Sequence, residues 1–213
     1  MLINLQYLIE KYKLNINGVI HIGAHYGEEV IDYINIGVNK IVLFEPLLEN
    51  FNTLQSKINS FLGWQKLHHF NCNIVLHKVA LGNKTNQKVF MNLSTNNKES
   101  SSILEPCLHL TAHPEVCFIG QEEVDIKKLD EYEQECSGCN FLSIDVQGYE
   151  LEVLKGGFNI FKNIDYIYCE VNRGEVYKNA ALVEDIDKFL KEYNFDRVET
   201  YWHTDLWGDA LYM

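Results

Sequence analysis

Short apolar runs alternate with segments of helical spacing along much of the chain, and this alternation constrains the fold more than any other feature. The run "GVIHIG" is followed by the helical pattern "EEVIDYINIG", and "KIVLFEP" is followed by "LLENFNTLQSKINSF". Farther along, "NFLSIDVQG" and "IDYIYCEVN" flank the helical pattern "YELEVLKGGFNIF", and the helical pattern "ALVEDIDKFLKEY" comes after them. Such alternation predicts an α/β fold with a mostly parallel sheet, helices on both faces and ligands outside the carboxyl ends of the strands.

The remaining segments complete the predicted domain. Residues 3–12 have helical spacing, within an N-terminal segment 1–17, and "FDRVETYW" and "WGDALYM" predict a C-terminal antiparallel hairpin. The runs "NIVLHKVALG" and "QKVFMNL" predict two further strands. Residues 94–138 have poor periodicity and are interpreted as an insertion or lid. We therefore predict one domain over residues 1–213.

The composition disfavours several classes of protein. A formal net charge of −12 argues against a nucleic-acid-binding surface, because such surfaces cluster Lys and Arg. The start "MLINLQYLIEKYK" lacks the features of a secretory signal, and no stretch approaches the ~20 apolar residues of a membrane span. We therefore expect a cytoplasmic protein without membrane contact, in which the six cysteines are free thiols.

The turn after the first strand and the end of the second strand suggest a nucleoside site. Gly23 and Gly27 allow close approach to the backbone where a helix starts, although a tight turn alone also explains them. Glu45 follows Gly23 by 22 residues and ends the second strand, where a carboxylate accepts hydrogen bonds from ribose hydroxyls. A solvated strand end before Pro46 is the alternative for Glu45. Together, these residues favour an adenosine-containing ligand.

The same turn discriminates between cofactors. A dinucleotide needs the middle glycine of G-x-G-x-x-G for close approach of the pyrophosphate, and His25 occupies that position in "GAHYG". S-adenosyl-L-methionine has no phosphate, and its positive sulfonium suits an acidic protein. We therefore predict S-adenosyl-L-methionine as the cofactor, rather than NAD.

At this point the chain resembles a known family. The segments "VIHIGAHYGEE", "VLFEPLLENFNTL", "VALGN", "SSSIL", "FLSIDVQGYELEVLKGG", "YIYCEVN" and "WGDALYM" together resemble the FkbM-type S-adenosylmethionine-dependent methyltransferases, from about residue 18 to the C-terminus. The resemblance implies a Rossmann-like class I methyltransferase fold with seven strands, the last one antiparallel. It also implies O-methylation of hydroxyls on sugars, glycans or natural products.

The resemblance implies cofactor residues too. The family's first motif corresponds to Gly23, Ala24, His25 and Gly27, and its ribose-binding acid corresponds to Glu45, followed by Pro46. The segment beside the adenine corresponds to Ala80 and Leu81, and the acid that ends the fourth strand corresponds to Asp145. One position departs from the family. The acid common two positions before the first glycine is replaced by His21, which leaves the cofactor contacts on the first strand open. We interpret His21 as a core histidine.

Methyl transfer to oxygen needs a group that takes the hydroxyl proton. Asp145, Glu170 and His203 stand at or near strand ends and are the candidates for this general base. Alternatively, Asp145 accepts a hydrogen bond from the amino group of the cofactor's methionine or caps the following helix, and Glu170 pairs with Arg173. A histidine such as His203 is also typical of an ordinary surface turn. The hydroxyls of "SSSIL" line the substrate side or belong to an ordinary loop.

A zinc site is the competing hypothesis for the insertion. Residue types suited to zinc are abundant there, namely Cys107, His109, His113, Cys117, Cys136 and Cys139. The spacing includes one C-x-x-C rather than two, and Pro114 interrupts a helix that would align the two histidines. We therefore predict no metal.

The leading hypothesis is an S-adenosylmethionine-dependent O-methyltransferase that modifies a carbohydrate or another small molecule. The insertion is expected to cover the acceptor. The alternatives are a nucleic-acid or protein methyltransferase and a binding protein without turnover. The expected partner is a small-molecule or glycan acceptor, not a nucleic acid or a membrane, and a homodimer is left open.

Overall fold

The computed structural model of the chain describes residues 3–68 and 71–213. Its strands are β1 (Gly18–Ile22), β2 (Lys40–Phe44), β3 (Asn73–His77), β4 (Ala80–Leu81), β5 (Gln87–Ser94), β6 (Phe118–Lys127), β7 (Phe141–Ile144), β8 (Tyr166–Asn172), β9 (Arg197–Trp202) and β10 (Trp207–Tyr212). Its α-helices are α1 (Leu5–Tyr12), α2 (Val30–Asn35), α3 (Leu48–His68), α4 (His109–Ala112), α5 (Glu133–Cys136), α6 (Glu150–Lys155) and α7 (Val183–Lys191). Two short 3-10 helices cover Leu129–Tyr132 and Ile160–Asn163.

Seven strands form the main sheet in the order β3-β2-β1-β7-β8-β10-β9. The first five of these pair in parallel, whereas β10 runs antiparallel to both β8 and β9. The order reverses direction between β1 and β7, so the carboxyl ends of β1, β2 and β7 meet at one edge where a crevice opens. This architecture confirms the predicted Rossmann-like fold and its C-terminal hairpin.

Both faces of the main sheet are buried, as expected for strands that are almost continuously apolar. Alternate residues of β1 point into different cores: Ile20 and Ile22 pack on one side, and Val19 packs on the other. Helices α6 and α7 contribute to the first core, and α1, α2 and α3 contribute to the second. The N-terminal helix predicted over residues 3–12 is therefore part of the fold, as α1.

A second, smaller sheet corrects part of the sequence interpretation. The run "NIVLHKVALG" is not one strand, because β3 joins the main sheet and β4 joins a separate sheet of order β4-β6-β5. Strand β6 lies inside the stretch of poor periodicity. Its pattern was missed because Val124 and Ile126 are buried while most of its other side chains are exposed. No helix in the described residues is both long and apolar enough to cross a bilayer.

Candidate active site

A cavity of about 590 Å³ opens at the carboxyl ends of β1, β2 and β7. Eight of the residues predicted for the site line it: Gly23, His25, Glu45, Pro46, Ala80, Leu81, Asp145 and Glu170. Residues 95–116, here called the roof, supply another wall through Ser100, Ser101 and Ile103 among others. The predicted serines of "SSSIL" therefore reach the cavity in part, because Ser102 is fully buried and does not line it.

The three strand ends beneath the cavity are joined by backbone hydrogen bonds. The N–H groups of Gly23 and Ala24 donate to the carbonyl of Phe44 at 3.0 Å, and the N–H of Asp145 donates to Ile22 at 3.0 Å. Gly23 has a φ of +82°, and a Cβ added there would lie 1.8 Å from the carbonyl oxygen of Asp145. Glycine is therefore required by the contact between two turns of the protein itself.

Two residues of the first motif contact the protein rather than the cavity. Ala24 is fully buried and packs in the core on the side of α1, α2 and α3. A Cβ on Gly27 would lie 2.6 Å from Cδ1 of Leu54 on α3. Gly27 therefore packs closely against α3 and does not line the cavity, and its contact with a ligand stays a prediction.

Glu45 holds the first two turns together from inside the cavity. Its Oε2 accepts the N–H of His25 at 2.9 Å, and its Oε1 accepts the N–H of Leu47 at 2.9 Å. The side chain is 4% exposed, so the alternative of a solvated strand end is wrong. Burial raises the pKa of Glu45 to about 7, against the opposing effect of these backbone donors.

His25 connects the first turn to the roof. Its backbone is left-handed, with a φ of +46°, and its Nε2 lies 2.9 Å from the carbonyl oxygen of Asn97. An ion pair between Lys98 and Glu49 attaches the roof to α3 as well. His25, which replaces the middle glycine of a dinucleotide motif, therefore anchors the roof.

The wall next to Glu45 is apolar. Phe44 and Leu47 belong to β2 and the turn after it, and Ala80 and Leu81 form β4 beside them. All four side chains are buried by the surrounding core, although they line the cavity. An apolar wall adjacent to a hydrogen-bonding carboxylate is suited to a ligand with a flat apolar ring and a polar sugar.

The opposite end of the cavity is acidic. Asp145 follows β7 and is exposed, whereas Glu170 lies on β8 with 5% exposure. The side-chain nitrogen of Gln147 donates to Asp145 at 2.7 Å and to Glu170 at 2.9 Å. Burial, followed by the charges of neighbouring carboxylates, raises the pKa of Glu170 well above its ordinary value.

These contacts decide between the alternatives left open for the two acids. Helix α6 has no side-chain cap at its first turn, so Asp145 does not cap it. Glu170 does not pair with Arg173, whose guanidinium lies 3.8 Å from the centre of the Trp202 ring. Both acids face the cavity instead.

A third acid was missed by the sequence interpretation. Glu150 is the first residue of α6 and is fully buried, and its Oε1 accepts the N–H groups of Val146 and Gly148 at 3.1 and 3.0 Å. Burial is the main cause that raises the pKa of Glu150 to about 7. A helix usually begins with acids at its exposed first turn, so "QGYE" gave no signal that this one turns inward.

The two other histidines considered lie in different surroundings. His21 is 3% exposed, its Nδ1 lies 3.1 Å from the hydroxyl of Tyr33, and burial lowers its pKa, which confirms a buried, hydrogen-bonded histidine in the strand. His203 is exposed and does not line the cavity, and its ring packs against Trp207 with centroids 4.9 Å apart. The structure therefore does not bring His203 to the other two base candidates.

The zinc hypothesis gains no support. In the part of the chain that the structure describes, Cys107, Cys117, Cys136 and Cys139 form no disulfide, and Cys107 and Cys117 are exposed whereas Cys136 and Cys139 are buried in the core. Burial raises the pKa of Cys136 and of Cys139 to about 12, which disfavours the thiolate that binds zinc. Among the side chains described, those of residues 3–63 and 71–213, Cys and His do not assemble into a metal-ligand group.

Comparisons with known proteins agree with this geometry. A curated relative, the 2-O-methyltransferase NoeI of Sinorhizobium fredii (strain NBRC 101917 / NGR234), is 32% identical over 99 residues, which cover 44% of this chain and 40% of that protein. Among solved structures, a methyltransferase FkbM from Methylobacillus flagellatus KT matches with a TM-score of 0.62 and 17% identity, over 92% of this chain and 43% of that one. This chain thus spans about two fifths of the length of both.

A more distant structure shares the fold. The magnesium protoporphyrin IX methyltransferase from Synechocystis PCC 6803, solved with bound SAM, matches with a TM-score of 0.52 and 11% identity, over 97% of this chain and 74% of that one. The sequence model of a protein family, the methyltransferase FkbM domain, matches residues 21–197, which include both ends of the cavity. With the sheet order, the cavity and this match in agreement, the chain belongs to the FkbM methyltransferase family.

Proposed function

We propose that the chain transfers a methyl group from S-adenosyl-L-methionine to a hydroxyl of a sugar, a glycan or another small molecule. The observation that carries the proposal is that Gly23, Glu45 and the Ala80–Leu81 strand line one cavity, at the positions that the family resemblance assigns to the cofactor. The relative named as a 2-O-methyltransferase supports oxygen as the acceptor atom.

The residues present fit the cofactor. Each carboxylate oxygen of Glu45 accepts one backbone N–H and retains a second lone pair, which can accept a ribose hydroxyl. The apolar wall formed by Phe44, Leu81 and their neighbours suits the adenine ring. The cavity volume of about 590 Å³ lies in the range of small-molecule sites.

When bound, S-adenosylmethionine supplies the methyl group as an electrophilic carbon attached to a sulfonium. Asp145 is the carboxylate that reaches the open part of the cavity, so it is assigned to take the proton of the acceptor hydroxyl. Burial, followed by neighbouring carboxylates, raises the pKa of Glu170, so Asp145 is the better candidate to take a proton. Gln147 holds both side chains in place through its amide hydrogens. Fixing the acceptor near the methyl carbon contributes the remaining catalysis.

Calorimetry with S-adenosylmethionine and with NADH tests the cofactor. We expect saturable binding of the first only. Glu45→Gln should weaken it by roughly 5- to 150-fold, because one ribose hydrogen bond is worth ~1–3 kcal/mol in a buried site. Glu152→Gln is the matched control, since Glu152 lies on α6, pairs with Lys155 and does not line the cavity. Equal affinities for all three proteins would refute the nucleoside site at Glu45.

Turnover is tested separately, by release of S-adenosylhomocysteine in the presence of acceptors. We expect release with hydroxylated sugars or glycans and a large loss of rate in Asp145→Asn, because an amide cannot take the hydroxyl proton. Tight cofactor binding with no release across a broad panel would instead favour a binding protein without turnover.

A further inference from the structure

Three carboxyl groups converge at the acidic end of the cavity. Asp145, Glu150 and Glu170, here called the acidic cluster, each contribute a carboxylate oxygen, and these oxygens lie within 4.8 Å of one another. Asp209 on β10 pairs in register with Glu170 and adds a further negative charge nearby. None of the ion pairs between described residues includes a member of the acidic cluster.

One oxygen of this cluster lacks a partner. Glu150 has 0% exposure, and its Oε1 accepts two backbone N–H groups, whereas its Oε2 has no hydrogen-bond partner among the described residues. A buried carboxylate oxygen without a donor is costly, because nothing replaces the water it has lost. A cation in contact with this oxygen would offset that cost.

We propose that the acidic cluster binds a hard divalent cation such as Mg²⁺ or Mn²⁺, with Asp145, Glu150 and Glu170 as its ligands. Carboxylate oxygens are the ligands that these ions prefer, and the ion has a path to the site because Asp145 and Glu170 line the cavity. Glu150 is fully buried and does not line the cavity, so it contributes its carboxylate oxygen from the inner side of the acidic cluster.

Gln147 is placed to accommodate such an ion. Its Oε1 lies 2.8 Å from the hydroxyl of Tyr177, and that hydroxyl also lies 2.8 Å from the carbonyl oxygen of Ser100. A hydroxyl donates only one proton, so when Tyr177 donates to Ser100 it is free to accept from the amide nitrogen of a flipped Gln147. The flip turns Oε1 toward the acidic cluster, where it becomes a neutral oxygen ligand.

The consequence for chemistry rests on the proposed function. A divalent ion at Asp145 lies where the acceptor hydroxyl has to lose its proton, and a coordinated hydroxyl loses a proton more readily. The ion and the carboxylates would then share the task that we assign to Asp145 alone in the absence of metal. Binding of the ion itself is measurable without any turnover.

Electron paramagnetic resonance of Mn²⁺ tests the site with the full chain after EDTA treatment. We expect one saturable site, from which Mg²⁺ displaces Mn²⁺. Glu150→Gln keeps the acceptor for the two backbone N–H groups and replaces the free oxygen with an amide nitrogen. This variant should therefore bind Mn²⁺ at least about tenfold more weakly while still folding. Asp145→Asn, at an exposed position, should weaken binding similarly.

Glu152→Gln is the matched control on the same helix, because Glu152 pairs with Lys155 and does not line the cavity. Its affinity for Mn²⁺ should equal that of the unmodified chain. Absence of a saturable site, or an unchanged affinity in folded Glu150→Gln, overturns the proposal. Displacement of Mn²⁺ by S-adenosylhomocysteine also overturns it, since the carboxylates would then hold the ammonium group of the cofactor. Calorimetry of cofactor binding in EDTA tests the proposed function without metal, so the cation site can fail while the cofactor site still binds S-adenosylmethionine.

Discussion

The cavity contains two carboxylate sites that are built in opposite ways. Glu45 stands alone, and each of its oxygens is held by a backbone N–H donor. The acidic cluster brings three carboxyl groups together, with a single amide shared between Asp145 and Glu170. Burial alone raises the pKa of Glu45, to about 7. The pKa of Glu170 is raised by two causes, namely burial and the negative charges of neighbouring carboxylates. The same residue type thus suits a neutral hydroxyl ligand at one end and a cation at the other.

The largest expected effect comes from the contact that joins the two sites. Gly23→Ala places a Cβ against the carbonyl oxygen of Asp145 in a left-handed backbone, so the two turns have to separate. We expect the free energy of unfolding to fall by more than ~3 kcal/mol, measured by urea denaturation.

Gly37→Ala is the control for this variant. Gly37 is also left-handed, with a φ of +85°, but a Cβ there has no neighbour within 4 Å. It should therefore lose only the backbone preference, about 1 kcal/mol. If both variants lost the same amount, the two ends of the cavity would not be coupled through Gly23.

The dependence of stability on pH gives an intermediate effect at Glu45. The pKa of Glu45 is about 7 in the folded protein and near 4.5 in the unfolded chain. Between these pH values the folded state therefore binds more protons than the unfolded state. The contribution of Glu45 is therefore fully present below about pH 4.5 and is lost as the pH rises through about 7.

Glu45→Gln removes this titration and measures it by difference. Relative to this variant, the unmodified chain should lose roughly 1–3 kcal/mol of unfolding free energy from pH 4.5 to pH 8, measured by denaturation in EDTA. Parallel stability curves for the two proteins would show that folding does not raise the pKa of Glu45. Glu45 would then be charged at neutral pH, in contrast to the acidic cluster, where neighbouring carboxylates raise the pKa of Glu170.

The smallest expected effect is at His203, which lies outside both sites. His203→Ala removes an exposed ring that contacts Trp207, so we expect a change in unfolding free energy within ~0.5 kcal/mol. Cofactor affinity and the rate of methyl transfer should also stay unchanged. A strong loss of rate with normal cofactor affinity would return His203 to the candidates for the general base.

The parts of the site that could be predicted are those whose geometry follows from strand order. Glu45 and Asp145 each come directly after a parallel strand, so their arrival at one edge follows from the alternation of strands and helices. Glu150 could not be found in this way, because its role depends on a helix that begins with its first side chain turned inward. Strand β6 was missed for a related reason, since a half-exposed strand has a weak apolar pattern.

The sequence by itself determined the fold class, the family and the ends of the strands from which the site is built, because local periodicity and strand-end motifs are encoded within short segments. Only the tertiary structure decided which carboxylates share a neighbourhood, which receive backbone donors and which oxygen of Glu150 is left without one. The physical reason is that burial and charge interactions depend on distances between residues far apart in the chain, and these distances exist only once the sheet, the helices and the roof have packed together.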